Sequence, residues 1–324
     1  MWDKPLRVLG LAAFAFILVQ VFSFFTGTHE DVEDEEFSRI FNKEYAVFAL
    51  SIPENHDFAG EAVPLHDPEV YERLDREMLV NTYWQSNGLL MLKRANRYFP
   101  LIEQILAEEG VPDDFKYLAL IESGLTNVVS PAGATGFWQI LKSTGQEYGL
   151  EVNKEVDERY HVERSTRAAC AYLKDAHSRF GNWTLAAASY NMGMNGLARQ
   201  MEQQNANSYY DLLLNSETRR YVFRILAVKK IFSDPAKFGF QYRDRDLYKP
   251  LETKELRIDS NLNDLVSFAN SQGISYKTLR YYNPWLRGNS LTVQNGSAYS
   301  ILIPDSAQSS NQPASEPADS STVD

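Results

Sequence analysis

The first apolar feature of the 324-residue chain is a run from Val8 to Phe25, broken only by Gly10, Gln20 and Ser23. Lys4 and Arg7 precede it and an acidic stretch, Glu30 to Glu36, follows it. A run of this length suits one membrane span of about 20 residues, or the core of a long signal peptide. Thr26-Gly27-Thr28-His29 is a poor cleavage site, so residues 1–25 read as an uncleaved anchor, with a cleaved signal as the alternative. The charge asymmetry places the N-terminus inside and the rest of the chain outside. Residues 26–66 then read as an acidic linker or adaptor, with Tyr45 to Ile52 as a short strand and Pro53, Gly60 and Pro64 as punctuation.

From residue 67 to 240 the apolar positions recur at helical spacing. Ala95, Tyr98, Phe99, Ile102, Ile105 and Leu106 form one stripe, in which Pro100 is expected to open a new helix at its first turn. Gly110 should close that helix, and Pro112-Asp113-Asp114 should start the next one, Phe115 to Ser123. Ser165 reads as the cap of a helix carrying Ala168, Ala169, Tyr172, Leu173, Ala176 and Phe180, closed by Gly181. Thr184 to Asn191 predicts a short helix, and Tyr209 to Phe232 one or two more. Residues 250–304 change character. Leu256 to Ile258 alternates as a strand, and Leu262 to Ala269 and Thr278 to Tyr282 are helical. Asn283-Pro284 is a stop, and Tyr299 to Ile303 alternates again. The tail, 305–324, is rich in Ser, Asn, Gln, Pro and Asp, a composition that does not build a core.

Composition adds little to the fold and more to the partners. Hydrophobic residues make up 44% of the chain and aromatics 13%, enough for a globular core and a small second module. A net charge of −11 gives no attraction to nucleic acid or to anionic lipid. The one cysteine, Cys170, sits among alanines and reads as a core position. The five histidines show no metal-ligand spacing, and neither a nucleophile elbow nor a phosphate-binding glycine loop is present, so no metal and no cofactor is expected.

One constellation remains. Glu122 lies at the end of the apolar segment Leu118 to Ile121, followed by Ser123-Gly124. Then comes Ser130-Pro131-Ala132-Gly133-Ala134-Thr135-Gly136-Phe137-Trp138-Gln139, a small-residue turn leading to two aromatics and an amide. A carboxyl group held beside Phe137 or Trp138 would lose hydration, which raises its pKa toward what a general acid needs. Tyr190-Asn191 offers a phenol and an amide at a helix end. Each piece has a plain structural reading: a solvated carboxylate, core aromatics, a helix cap. The second acidic pair, Asp157-Glu158 before Arg159, reads as an ion-paired turn rather than as a nucleophile.

In combination the motifs are specific. Glu-Ser, Gly-x-Trp-Gln, Ala-x-Tyr-Asn and Glu217-Thr218-Arg219-Arg220-Tyr221-Val222, in this order over residues 88–235, resemble the lytic transglycosylase domain of the lysozyme-like superfamily, glycoside hydrolase family 23. Residues 250–304 resemble, more loosely, a LysM module. The resemblance implies a mainly α, lysozyme-like helical domain of the soluble lytic transglycosylase type over 67–240, followed by a small α+β LysM-like module that binds peptidoglycan. It implies that Glu122 is the acid and base that cleaves the bond between N-acetylmuramic acid and N-acetylglucosamine, with closure of a 1,6-anhydro ring. No second carboxylate would be needed, unlike the usual glycosidase plan. Ser123, Ser130, Gln139, Tyr190, Asn191 and Tyr221 are then expected to bind sugar or orient Glu122, with Ser123 supporting the turn. Trp138 departs from the methionine common in related soluble members. The partners implied are peptidoglycan strands and, through residues 1–25, the inner membrane, with the enzyme on the periplasmic side of a bacterial envelope. A hydrolytic, goose-type lysozyme and a non-catalytic wall-binding protein are the competing readings.

Overall fold

The computed structural model describes residues 49–52, 56–294 and 296–305. The expected anchor at 1–25, the acidic stretch and residues 306–324 of the tail lie outside them. So does half of the expected strand Tyr45 to Ile52, of which 49–52 is irregular. Among the described residues, no helix is long and apolar enough to cross a membrane. By contacts the chain divides into two compact units. In the first, the described residues are Gln241–Leu247, a single turn clamped by the Arg243–Asp246 ion pair at 3.0 Å. The second, Ala49–Phe240 with Tyr248–Asp324, holds everything that follows.

A two-residue hairpin comes first: β1 (Asp57–Phe58) pairs antiparallel with β2 (Glu61–Ala62). These residues belong to the segment expected as a linker, yet they are fastened to the helices. Phe58 is fully buried, edge-on to Phe115 at 5.2 Å. Eight helices follow: α1 (Pro68–Tyr83), α2 (Gln85–Glu109), α3 (Lys116–Ser123), α4 (Lys142–Glu147), α5 (Val162–Phe180), α6 (Trp183–Met192), α7 (Met194–Gln204) and α8 (Thr218–Ser233). The expected mainly helical class is observed. The helices bury their apolar faces in one core, with α1 against α8, α2 against α5, and α5 against α6. Leu74, Ile102, Leu118, Leu173, Ala187 and Leu226 are among the residues wholly removed from water there.

Two local expectations need correction. Pro100 does not start a helix; it sits inside α2, which runs unbroken from Gln85 to Glu109. The missing N–H costs the helix one bond, but the buried stripe continues on both sides of it, from Met91 and Phe99 to Ile102 and Leu106. Burial therefore outweighs the local break. Nor is Ser165 a helix cap. The cap of α5 lies four residues earlier, where the His161 side chain accepts from the Arg164 amide, and Ser165 lies buried in the first turns with its Oγ on the His161 carbonyl at 2.8 Å. Histidine is an uncommon cap, so the more familiar serine drew the prediction.

The strand-helix-helix-strand order expected for 250–304 is present as β3 (Thr253–Ile258), α9 (Leu265–Ser271), α10 (Tyr276–Tyr282) and β4 (Tyr299–Pro304). The two strands pair antiparallel in register from Thr253↔Pro304 to Ile258↔Tyr299. Asn283, fully buried, ties α10 to β4. Its Nδ2 donates to the Leu279 and Leu302 carbonyls (2.9 and 2.6 Å), and its Oδ1 accepts from Leu302 N at 2.8 Å. The core of this module, which includes Leu265, Leu279, Trp285 and Ile301, also takes in Val156 and Tyr160 from the helical domain.

Candidate active site

Glu122 is the penultimate residue of α3, and Gly124 ends that helix in the left-handed conformation (φ 59°). A carboxylate at a helix C-terminus faces the negative end of the helix dipole, which already disfavours its charge. Burial does so more strongly and is the main reason the Glu122 carboxyl is held above the usual carboxylate range. The nearby Glu217 carboxylate pushes in the same direction. Two groups pull against it: the Tyr221 hydroxyl, which donates to Glu122 Oε1, and the positive charge of Arg224. Arg224 is anchored next door, donating to the Ile121 carbonyl at 2.9 Å. Burial and the charge of Glu122 keep the Tyr221 phenol well above its ordinary value, so it serves as a neutral donor.

The turn that follows is built to approach this carboxyl closely. The Ser130 amide donates to the Ala134 carbonyl at 2.8 Å, and the Ser130 hydroxyl accepts from Ala134 N at 3.0 Å. Gly136 cannot be replaced here. Its φ is 81°, and a Cβ would lie 2.0 Å from the Arg159 carbonyl oxygen. Gln139 also occupies left-handed space (φ 47°), an uncommon conformation for a residue with a side chain. Its Nε2 is fixed by the carbonyls of Gly136 (2.9 Å) and Val128 (3.1 Å), which leaves Oε1 as the acceptor. Ser123 Oγ donates to the Phe137 carbonyl at 2.8 Å, joining the end of α3 to the turn. The expected ion-paired turn is also present: Arg159 grips Asp157 through Nε (2.9 Å) and Nη2 (2.7 Å). Arg159 also donates to the carbonyls of Gly133 and Ile140.

Phe137 and Trp138 take the plain core reading. Both are buried, and Trp138 Nε1 donates to Thr166 Oγ1 on α5 at 2.8 Å. What touches the carboxyl is the tyrosine of α8. Trp138 contributes through its carbonyl, which accepts from the Tyr190 hydroxyl at 2.8 Å.

A cleft of about 900 Å³ gathers Glu122, Ser130, Gln139, Tyr190 and Asn191 along its walls. Ser123 and Tyr221 are not among its lining residues; they hold the turn and the carboxyl from behind. Asn191 is fixed at both ends of its amide, donating to Glu217 Oε1 at 3.0 Å and accepting from Thr218 Oγ1 at 2.7 Å. Beyond Tyr190, the cleft has a stretch of wall that was not anticipated. Tyr190, Tyr172 and Tyr148 make an edge-to-face row with ring separations of 5.2 and 5.7 Å. Tyr148 donates to Asp175 at 3.1 Å, and Met192 and Met194 flank the row. Tyr172 was legible only as part of a helical stripe, and Tyr148 carried no signal. Glu217 was legible merely as the start of a motif. Apolar and aromatic surface with fixed amides and hydroxyls suits a polymer of amide-bearing sugars.

Residues 100–213 match the family described as "Transglycosylase SLT domain", and residues 254–307 match "Soluble lytic transglycosylase C-terminal LysM-like domain". Two successive segments of the chain are thus similar to a transglycosylase SLT domain and to a LysM-like domain. The chain is homologous to membrane-bound lytic murein transglycosylase D of Escherichia coli (strain K12), with 29% identity over 256 residues, 76% of this chain and 55% of that protein. The chain therefore spans about half the length of this curated relative. Solved structures similar to it include the 70 kDa soluble lytic transglycosylase of Escherichia coli, with 19% identity, a TM-score of 0.39 and coverage of 60% of this chain and 39% of that one. Another is an inactive variant of lytic transglycosylase Slt from Pseudomonas aeruginosa, with 20% identity, a TM-score of 0.38 and coverage of 55% and 33%.

Proposed function

We propose that the protein is a peptidoglycan lytic transglycosylase in which Glu122 is both acid and base. The observation that carries this reading is the carboxyl itself. It is desolvated, which holds its pKa above the usual carboxylate range, oriented by Tyr221, and placed in a cleft whose walls bring a phenol, two amides and a serine together. In the first step Glu122 protonates the oxygen between N-acetylmuramic acid and N-acetylglucosamine, and the bond to the anomeric carbon breaks. The resulting carboxylate then takes the proton of the muramic 6-hydroxyl as that oxygen closes the 1,6-anhydro ring. Burial favours the first state, while the Tyr221 hydrogen bond and the Arg224 charge make the second accessible. Ser130, Gln139, Tyr190 and Asn191 bind the sugar; Ser123 and Tyr221 position the acid.

The same reading takes 67–240 as the catalytic domain and 250–304 as a peptidoglycan-binding module. It takes 1–25 as an inner-membrane anchor that holds the enzyme on the periplasmic side of the envelope. A second reading, hydrolysis to reducing muramic ends, is favoured by one observation: Glu217 lines the cleft and acts on Glu122. Against it, Glu217 is occupied by the Asn191 amide.

Digestion of purified peptidoglycan, read by mass spectrometry, decides between the two. The proposal expects muropeptides one water lighter than the hydrolytic products; reducing muramic ends alone would overturn it. Glu122→Gln should abolish release and leave the protein able to sediment with the polymer. Glu217→Gln should lower the rate without changing the product.

A further inference from the structure

The LysM-like module is joined to the catalytic turn by an unbroken set of contacts through residues 151–161. Glu155 enters the module: its carbonyl accepts from the amides of Arg287 (2.6 Å) and Gly288 (3.2 Å). Its carboxylate accepts from Thr292 N at 2.9 Å and from the Ser290 hydroxyl. Val156 forms an antiparallel bridge with Leu286, and the Asp157 amide donates to the Trp285 carbonyl at 2.9 Å. Val156 and Tyr160 are buried in the module's core, and the Arg287 guanidinium lies 4.4 Å over the Tyr160 ring. A Cβ on Gly288 would already stand 3.2 Å from Glu155, so the two chains meet with no slack.

On its other side the same loop meets the turn beside Glu122. The Asp157 carboxylate sets the Arg159 guanidinium, and Arg159 Nη1 donates to the carbonyls of Gly133 (3.0 Å) and Ile140 (3.2 Å). Those two carbonyls bracket the segment that presents Gln139, and the same arginine's carbonyl oxygen presses on Gly136. Without the module, the amide of Asp157 and the carbonyl of Glu155 lose their partners, and Val156 and Tyr160 lose their cover. Asp157 would then be held only from within its own loop, by its bridge to Val152 and the Tyr160 amide on its carbonyl, without the brace behind it.

We propose that the LysM-like module is a strut of the active site: by gripping Glu155 and Asp157 it fixes, through Arg159, the turn that carries Ser130 and Gln139. Glu155 and Arg159 are positioning residues, remote from the reacting atoms. The proposal rests on the catalytic reading above and assigns the module a role separate from any binding of polymer.

The test uses the full chain with Glu155→Ala, and with Ser290→Ala as a milder variant should the first fold poorly. Both are measured for kcat and KM on purified peptidoglycan, for sedimentation with the polymer, and for backbone hydrogen exchange. A turn displaced by a fraction of an ångström lowers kcat by about tenfold in Glu155→Ala and less in Ser290→Ala. KM rises as well, because the displaced turn carries Ser130 and Gln139; sedimentation stays unchanged, and the amides of Thr135 and Ile140, each bonded to the other residue's carbonyl across the turn, exchange faster. Glu155→Gln keeps an oxygen for Thr292 N and should recover most of the rate. Unchanged exchange at Thr135 and Ile140, or a loss confined to KM and sedimentation, overturns the strut. Absence of turnover in the unmodified protein sinks the catalytic reading instead, while the exchange measurement still decides the strut.

Discussion

The proton of Glu122 is governed by opposing groups whose removal has opposite signs. Burial and Glu217 raise its pKa; Tyr221 and Arg224 lower it. An acid that must carry its proton loses activity as pH rises through its pKa, so kcat/KM should fall on a limb above the ordinary carboxylate range. Tyr221→Phe removes a donor that favours the charged form, so that limb should move to higher pH while the maximum rate drops. A limb that stays in place would show that Tyr221 does not act on the acid. The linkage to stability follows from the same raised value. A carboxyl whose folded pKa exceeds its unfolded one stabilises the fold at low pH, and that contribution is lost as pH rises from the unfolded value through the folded one. Glu122→Gln should accordingly be more stable than the unmodified protein in urea at neutral pH and no more stable in acid. Gly136 tests the geometry of the turn instead. A methyl 2.0 Å from the Arg159 carbonyl forces the two segments apart, so Gly136→Ala should cost about 3 kcal/mol in urea unfolding and most of the activity.

At the scale of elements, α2 carries the clearest test of burial against local propensity. Pro100 is exposed on its outer face, where it breaks one backbone bond but fills no space in the core. Pro100→Ala should raise stability by about 1–2 kcal/mol, measured by urea unfolding, with turnover unchanged. The same element shows what the sequence could and could not reveal. Helices such as α2 and α5 were legible because their apolar spacing and their closing glycines are local signals. Their starts were less so, since the His161 cap and the unbroken passage through Pro100 depend on what packs against them. The site divides in the same way. Glu122, Ser130, Gln139, Tyr190 and Asn191 lie in short contiguous motifs and were readable together. Arg224 and the Tyr148–Tyr172 wall were not, because only the packing of α8 and α5 brings them to the cleft. The hairpin at Asp57–Ala62 was read as part of a linker for a similar reason. The capping of α6 by Glu61, which accepts from Thr184 N at 2.9 Å, is a contact across 123 positions of sequence.

At the scale of the whole molecule, two family domains that are separate along the chain share a core. Val156 (1% exposed) and Tyr160 (8%) belong by sequence to the helical domain and by packing to the LysM-like module. Two modules joined by a free linker would melt independently; modules that share buried side chains are coupled. The chain should therefore unfold in one calorimetric transition, with the calorimetric enthalpy close to the van't Hoff value. Ending the chain at residue 249 exposes those two side chains and leaves the Asp157 amide and the Glu155 carbonyl without partners. Losing that burial costs on the order of 3 kcal/mol, since a fully buried side chain of this size contributes about 1.5–3 kcal/mol. For a helical domain of this length, the melting temperature should fall by roughly 6–12 °C. Two resolved transitions in the full chain, or a truncated form that melts where the full chain does, would mean that the module is only tethered, and that Glu155 holds no part of the catalytic turn.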